Sequence, residues 1–522
     1  MMNKLNDALP KDVKSYRPDI DGLRCLAVLS VILFHINPKY MPSGFLGVDI
    51  FFVISGYLIT SILYREMSNQ RFSFIDFYNR RIKRILPIFF VVIFAGLFVV
   101  WNLFLYKDMY SVANSAIASV LFLANIYFSR SPEGYFDSSV EERPFVHIWS
   151  LSVEEQFYFI FPLLLLLMFK IKPLKKYKLK FILFLIGGLI ASLFIDLIEL
   201  GMNLNIYYLP HLRMIEMMTG SFLAIYRSER GNRLNVKQSN ILAFFSLTLL
   251  LTCLFLPNFF VLPHFPGYLS LFPCIATALL IISNEKGRII TKLFSFPIVV
   301  WIGKISYSLY LWHWLVLAVF RYFFGVGELS TTNVSIVVLL IFVLSVFSYY
   351  AIEQTTRYNK MNFTRSLILF YVIPSVVVFV IWFKMQDVVH SNSELAYPAE
   401  CHEKLNGNHC TLGDIGKEEK TNILFIGDSF CGHIAPFVDT VGKSEGWKAH
   451  LLSAASCSCL FNYDITKDLS SELTKGNCLK MNQIFENKYK DYDIIVFSET
   501  FENRIDLYAD YISTKERTIQ HL

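Results

Sequence analysis

A polytopic α-helical membrane bundle followed by an α/β domain outside the membrane is the fold class this sequence predicts. Three observations predict it. Of 522 residues, 54% are hydrophobic and only 17% charged, against roughly a quarter charged in ordinary globular domains. Mean hydropathy is +0.45. Apolar windows near the length of about 20 residues that crosses a bilayer recur along the first 385 positions, after which the composition turns mixed and charged. The net charge of +6, from 48 basic and 42 acidic residues, is too modest to argue for a nucleic-acid partner.

The windows fall at 23–37, 45–64, 88–106, 148–169, 180–199, 207–226, 240–257, 266–283, 298–322, 333–353 and 366–384. A twelfth stretch, 110–128, is more polar, with two Asn and three Ser, and is expected to lie in the outer interface. Eleven crossings then place Lys4–Arg17, RRIKR (80–84), KIKPLKKYK (170–178), RSERGNR (227–233), EKGR (285–288) and RYNKMNFTR (357–365) on one side, as the positive-inside rule requires. The first 18 residues are polar and no cleavage site follows an apolar core, so no removed signal peptide is expected. The division is 1–365 for the membrane domain, 366–390 for a further helix and linker, and 391–522 for the outer domain. Six of nine cysteines (401, 410, 431, 457, 459, 478) lie in that last part, as suits a compartment that permits disulfides. No Cys-x-x-Cys pair occurs and no metal is expected. TNILFIGDSF (421–430) and DYDIIVFSE (491–499) read as buried strands.

Ionisable residues within apolar spans are costly and by default mark function. The first span carries Arg24 and His35. Eleven residues at about 100° each return close to one face and rise about 16 Å, so the two share a face without touching. Asp49 opens the second span, His147, Glu154 and Glu155 precede or begin the fourth, Arg213 and Glu216 stand at i, i+3 in the sixth, and Lys304 and His313 lie in the ninth. The predicted topology sorts these by depth. Arg24, Arg80, Arg81, Arg84 and Lys304 form a basic cytosolic mouth suited to a phosphorylated donor, because guanidinium forks match phosphate oxygens. His35, Asp49, Glu154 and Glu155 collect on the outer side, where general-base work on a hydroxyl is available. RRIKR also reads as a topology signal alone, and Arg213–Glu216 as a structural ion pair.

RPDIDGLRCLAVLSVILFH (17–35), GFLGVDIFFVISGYLI (44–59), FYNRRIKRILP (77–87), HIWSLSVEEQFYF (147–159), RMIEMMTG (213–220), GKISYSLYLWHW (303–314) and YYAIEQTTR (349–357) resemble the acyltransferase-3 family of bacterial membrane proteins. The resemblance runs from about Tyr16 to Arg357. It places the family's arginine-x10-histidine pair on Arg24 and His35, and its arginine-x-x-arginine loop on Arg81 and Arg84. The implied activity is O-acetylation of an extracytoplasmic glycan, such as lipopolysaccharide O-antigen, by a multi-pass protein of the bacterial inner membrane using cytosolic acetyl-CoA. Arg24, Arg81 and Arg84 would hold the donor phosphates, and His35 would act in transfer with an acidic helper, for which Glu154 is the candidate. Asp49, Arg213 and Glu216 are further binding candidates.

The segment after 390 resembles the SGNH-type domain fused to O-antigen acetylase-like members, through Ile423–Ser429: a strand ending in Gly427-Asp428-Ser429, where a Ser at a sharp turn is exposed for attack. Such domains typically end in Asp-x-x-His, and none occurs between 430 and 522. The domain therefore reads as truncated, leaving Ser429 a candidate nucleophile without the base that activates it. Two rivals stay open: a lipid-linked sugar transporter or flippase without acyl transfer, which predicts paired repeats with broken helices, and an inactive truncated acyltransferase.

Overall fold

A computed structural model describes residues 16–130, 138–171, 174, 176–198, 206–256, 268–325, 329–391, 410–414, 422–428, 431–432, 434–454, 457 and 472–498. It divides into two compact units, Met1–Met385 and Gln386–Leu522.

The first unit is helical. Its elements are α1 (Pro18–Ile36), α2 (Gly47–Ser68), α3 (Phe74–Leu103), α4 (Tyr106–Val120), α5 (Ala124–Ser129), α6 (Ile148–Lys170), α7 (Lys178–Ile198), α8 (Pro210–Arg230), α9 (Val236–Phe255), α10 (Leu271–Ser283), α11 (Ile289–Phe294), α12 (Pro297–Lys304), α13 (Ser306–Phe324), α14 (Thr331–Arg357) and α15 (Phe363–Val388). Among the described residues, six helices are long and apolar enough to cross a membrane: α2, α3, α6, α9, α14 and α15. The other predicted windows are helical too, but α1 and α8 carry charges within the helix and α10 has only 13 residues.

Two predicted elements come out differently. The window 298–322 is not one helix: the chain breaks at Ile305, between α12 and α13. The stretch 110–128 neither crosses nor lies flat. α4 runs back beside α3 to a tight turn, where Phe122 takes a positive φ of 54° and its ring lies 5.8 Å from that of Phe89 in mid-α3. α5 then returns, and Tyr127 donates to the Ser111 carbonyl at 3.3 Å. Backbone that leaves the helix at this depth needs partners from protein. Gln156 of α6 supplies them, donating to the Phe122 carbonyl at 2.8 Å and to Asn125 Oδ1 at 2.9 Å. The two Asn and three Ser that made this stretch look interfacial are the polar cost of a re-entrant hairpin.

Helices α2 and α8 meet at small residues. A Cβ on Gly56 would lie 2.0 Å from the Met217 carbonyl oxygen, and one on Gly220 2.1 Å from that of Val53. Without a hydrophobic drive between helices in lipid, such backbone proximity is what makes packing favourable. Beside this crossing Arg213 reaches Glu216 at 2.7 Å and Asp49 at 3.3 Å, with all three side chains fully buried. Arg213 also lies over the Tyr207 and Trp149 rings, 4.4 and 5.0 Å from their centroids, and donates to the Tyr207 carbonyl at 3.2 Å. Asp49, expected to collect with His35 on the outer side, is drawn by α8 into this internal network, because a carboxylate buried in the bundle needs a cation.

Among the described residues, the second unit holds a four-stranded sheet, β1 (Cys410–Gly413), β2 (Asn422–Gly427), β3 (Lys448–Ser453) and β4 (Ile494–Ser498), in the order β1-β3-β2-β4. β2 pairs in parallel with β3 and β4, and β1 is antiparallel to β3. Helix α16 (Ala435–Glu445) connects β2 to β3, and α17 (Glu472–Lys488) precedes β4. Alternation along β2 sends Leu424 and Ile426 toward Met481 and Phe485 of α17, and Ile423 and Phe425 toward Ala435 and Val438 of α16. The sheet is thus covered on both faces. Neighbours on either side of β2 connect in opposite directions, so its carboxyl end is a switch point, where such sheets bind ligands. Asp428 follows that end and is buried; Ser429, His433 and everything after 498 lie outside the described residues. Cys457 is bonded to Cys478 and Cys410 is also disulfide-bonded. Cys431 is a buried free thiol, pushed up to about 12 by burial, which makes it a packing residue rather than a nucleophile.

The Arg213 network gives a stability prediction. Arg213→Leu leaves two buried carboxylates facing each other and is expected to cost about 3–5 kcal/mol, read as a lowered unfolding midpoint of the solubilised protein. Adding Asp49→Asn and Glu216→Gln to that variant should recover much of the loss.

Candidate functional site

Arg24 of α1 and Arg81 and Arg84 of α3 line one pocket, together with Ser55, Ser150, Glu154, Tyr158 and Tyr310. Arg81 and Arg84 are three apart and so share a helix face. Arg80, one position round the helix, points away, is about half exposed and pairs with Glu66 at 2.9 Å. Lys304 sits over the Tyr16 ring, 5.3 Å from its centroid, and does not line the pocket. Three of the five predicted mouth residues therefore converge.

Carboxylates hold these guanidiniums in place. Arg81 pairs with Glu155 at 3.1 Å and lies flat on Tyr158, 3.5 Å from the ring centroid. Arg24 faces Asp21 at 3.5 Å. Arg84 lies within electrostatic reach of Arg24, Arg357 and Glu353. Glu154 accepts from both Ser55 and Tyr158. The expectation that Glu154 and Glu155 join His35 is overturned: seven residues along α6 carry Glu154 about 10 Å from His147, down to the level of the arginines.

His35 lies elsewhere, in a buried group of rings. Its ring centroid is 5.7 Å from that of His313 and 4.6 Å from that of Trp314, and His147 is 6.0 Å from His313. His147 lies beside the Leu311 backbone, yet neither its ring nitrogens nor Nε2 of His313 make a hydrogen bond of good geometry among the described residues. Arg321 donates to the His35 carbonyl at 2.5 Å and pairs with Glu141 at 3.2 Å. Among the described residues no group of three has metal-holding geometry.

Tyr310 joins the two groups. It lines the arginine pocket, while its ring is 5.3 Å from His313 and 5.7 Å from His147. Its hydroxyl lies 2.6 Å from Ser150 Oγ and donates to the His147 carbonyl at 2.9 Å. A continuous path of side chains therefore leads from three arginines to three histidines. Sequence reasoning missed Tyr310, Ser150 and Glu353. Tyr and Ser in a span carry no alarm. Glu353, however, is an ionisable residue at the end of the 333–353 window, and the rule that singled out Arg213 applies to it equally. It is buried in a π turn, Tyr349–Glu353, a feature frequent at functional sites, and accepts from Ser308 at 3.3 Å. Asp49, Arg213 and Glu216 do not line the pocket.

The model of an acyltransferase domain matches residues 17–353, and that of an SGNH domain fused to such domains matches residues 397–520. An uncharacterized protein of Haemophilus influenzae is 42% identical over 247 residues, 46% of this chain and 99% of that protein. The peptidoglycan O-acetyltransferase OatA of Listeria monocytogenes is 31% identical over 66% of this chain and 56% of its own length. The O-acetyltransferase OatA of Staphylococcus aureus is 30% identical over 70% of this chain and 63% of its own. The chain thus spans rather less than two thirds of the two O-acetyltransferases. No solved structure matches it significantly. With both models matched in order, along a bundle whose arginine pocket and histidine group meet at Tyr310, the chain belongs to the family of multi-pass membrane acyltransferases that carry a fused SGNH domain.

Proposed function

We propose that this protein is a membrane O-acetyltransferase that carries an acetyl group from cytosolic acetyl-CoA to a hydroxyl of an extracytoplasmic glycan. The observation that carries this reading is the unbroken path from the arginine pocket, through Tyr310, to His35. Arg24, Arg81 and Arg84 bind the CoA phosphates through guanidinium forks, and Asp21 and Glu155 orient Arg24 and Arg81 from behind. The thioester end extends past Ser150 and Tyr310 toward the histidines.

At that point His35 takes the proton of the attacking hydroxyl, whose oxygen adds to the thioester carbonyl. The C–S bond breaks, and the CoA thiolate leaves and is protonated, giving an O-acetyl ester and CoA thiol. A neutral imidazole is the form a base needs. The hydroxyl is that of the glycan, in direct transfer, or that of Ser429, which then passes the acetyl group on. The resemblance to O-antigen acetylases favours a lipopolysaccharide acceptor, and the names of the relatives favour peptidoglycan. On this reading the protein resides in the inner membrane with its SGNH unit outside. The broken helix at Ile305 and the re-entrant hairpin are features a transporter would also use, but such a carrier has no need of a buried histidine group behind a phosphate pocket.

Donor binding is directly testable. Acetyl-CoA at millimolar concentration should raise the melting midpoint of the detergent-solubilised protein, since a ligand that binds only the folded state stabilises it. Arg81→Ala and Arg84→Ala should each abolish that rise. No stabilisation of wild type would count against the donor assignment.

A further inference from the structure

We infer that the groove between the α4–α5 hairpin and α15 is a binding site for a phosphate-headed lipid. Its polarity runs along its length. Arg130 and Arg143 line one end with Tyr127, Asn114 and Trp382 line the middle, and Leu121 lines the turn. From the level of Ser111 down to Leu121 is ten helical residues, about 15 Å. A cavity that is cationic at its mouth and apolar at its foot matches an amphiphile: guanidiniums take phosphate oxygens, and the hairpin's aliphatic side chains take a hydrocarbon chain. Arg130, the residue that follows α5, is exposed, as are Leu121 and Leu123.

The walls are braced rather than incidental. Trp382 donates to Asn114 Oδ1 at 2.8 Å and Tyr371 to the Val120 carbonyl at 3.3 Å, so α15 is fixed against the hairpin at two levels. α15 lies beyond the matched acyltransferase domain and contributes Trp382 to the groove wall. Arg84 and the end of α3 at Leu103 are 19 residues apart, about 28 Å, which puts the groove mouth at the opposite end of the bundle from the arginine pocket. The mouth borders the histidine group, because Trp314, packed on His35, donates to the Arg143 carbonyl at 2.8 Å, and Glu141 from the same segment holds Arg321. Two sources share the required chemistry, a lipid-carried glycan and a bilayer phospholipid. The site stands on the groove alone and does not require the acetyl-transfer reading.

The test is native mass spectrometry of the full-length protein in detergent with four probes: polyprenyl monophosphate, polyprenol, phosphatidylglycerol and inorganic phosphate. At least one phosphate lipid should bind about tenfold or more tighter than both polyprenol and inorganic phosphate, the worth of one charge-assisted bond. Arg130→Ala, at the exposed mouth, and Leu121→Trp, which fills the foot, should each weaken it by about tenfold or more. Preference for the polyprenyl form assigns a carried glycan; equal or better binding of phosphatidylglycerol assigns a bilayer lipid. Polyprenol binding as tightly as its phosphate, or wild-type binding by both variants, overturns the site. Acetyl-CoA stabilisation measured on the same samples keeps the two readings apart: its absence with lipid binding intact removes the donor assignment and leaves this site standing.

Discussion

A charged or hydrogen-bonding group inside a bilayer must find its partner within the protein, and the arrangement of this bundle follows from that constraint. Arg213 is held by Asp49 and Glu216, Arg81 by Glu155 and the Tyr158 ring, Arg321 by Glu141 and the His35 carbonyl. Apart from Arg213–Glu216 within α8, these contacts join segments remote in sequence, so the network that satisfies the charges also ties α2 to α8, α3 to α6 and α1 to α13. The same rule explains Gln156. A turn at the depth of Phe89 leaves carbonyls without helical partners, and one amide on α6 reaches two of the groups that the turn exposes.

The pairings also separate groups that look alike in the sequence. Arg213 is sealed, while Arg24, Arg81 and Arg84 face a pocket. Asp49 neutralises an arginine, while Glu154 receives two hydroxyls beside one. His35, His147 and His313 are buried beside aromatic rings. The arginine pocket and the histidine group thus lie at two depths and meet at Tyr310.

Much of this was legible in advance. The apolar windows marked the helices, RRIKR held two of the three arginines that line the pocket, and NILFIG read as the strand that β2 is. The errors came from depth. Topology put Glu154 and Glu155 on the outer side with His35, whereas α6 carries both to the level of the arginines. Hydropathy averages over a window, so it could not see the break at Ile305 or the reversal at Phe122, where single backbone angles decide the path. The meeting of His35 with His147 and His313 joins residues from three helices, and no local pattern records such a contact.

The central claim is that acetyl groups reach a surface glycan through His35. Mass spectrometry of surface glycans from a host lacking its own copy, complemented with wild type, His35→Ala or Ser429→Ala, tests it most directly. The account predicts O-acetyl groups with wild type and none with His35→Ala at equal membrane abundance. The Ser429 variant reports which route is used: loss of acetylation assigns the relay, and retention assigns direct transfer. Acetylation undiminished in His35→Ala would contradict the account.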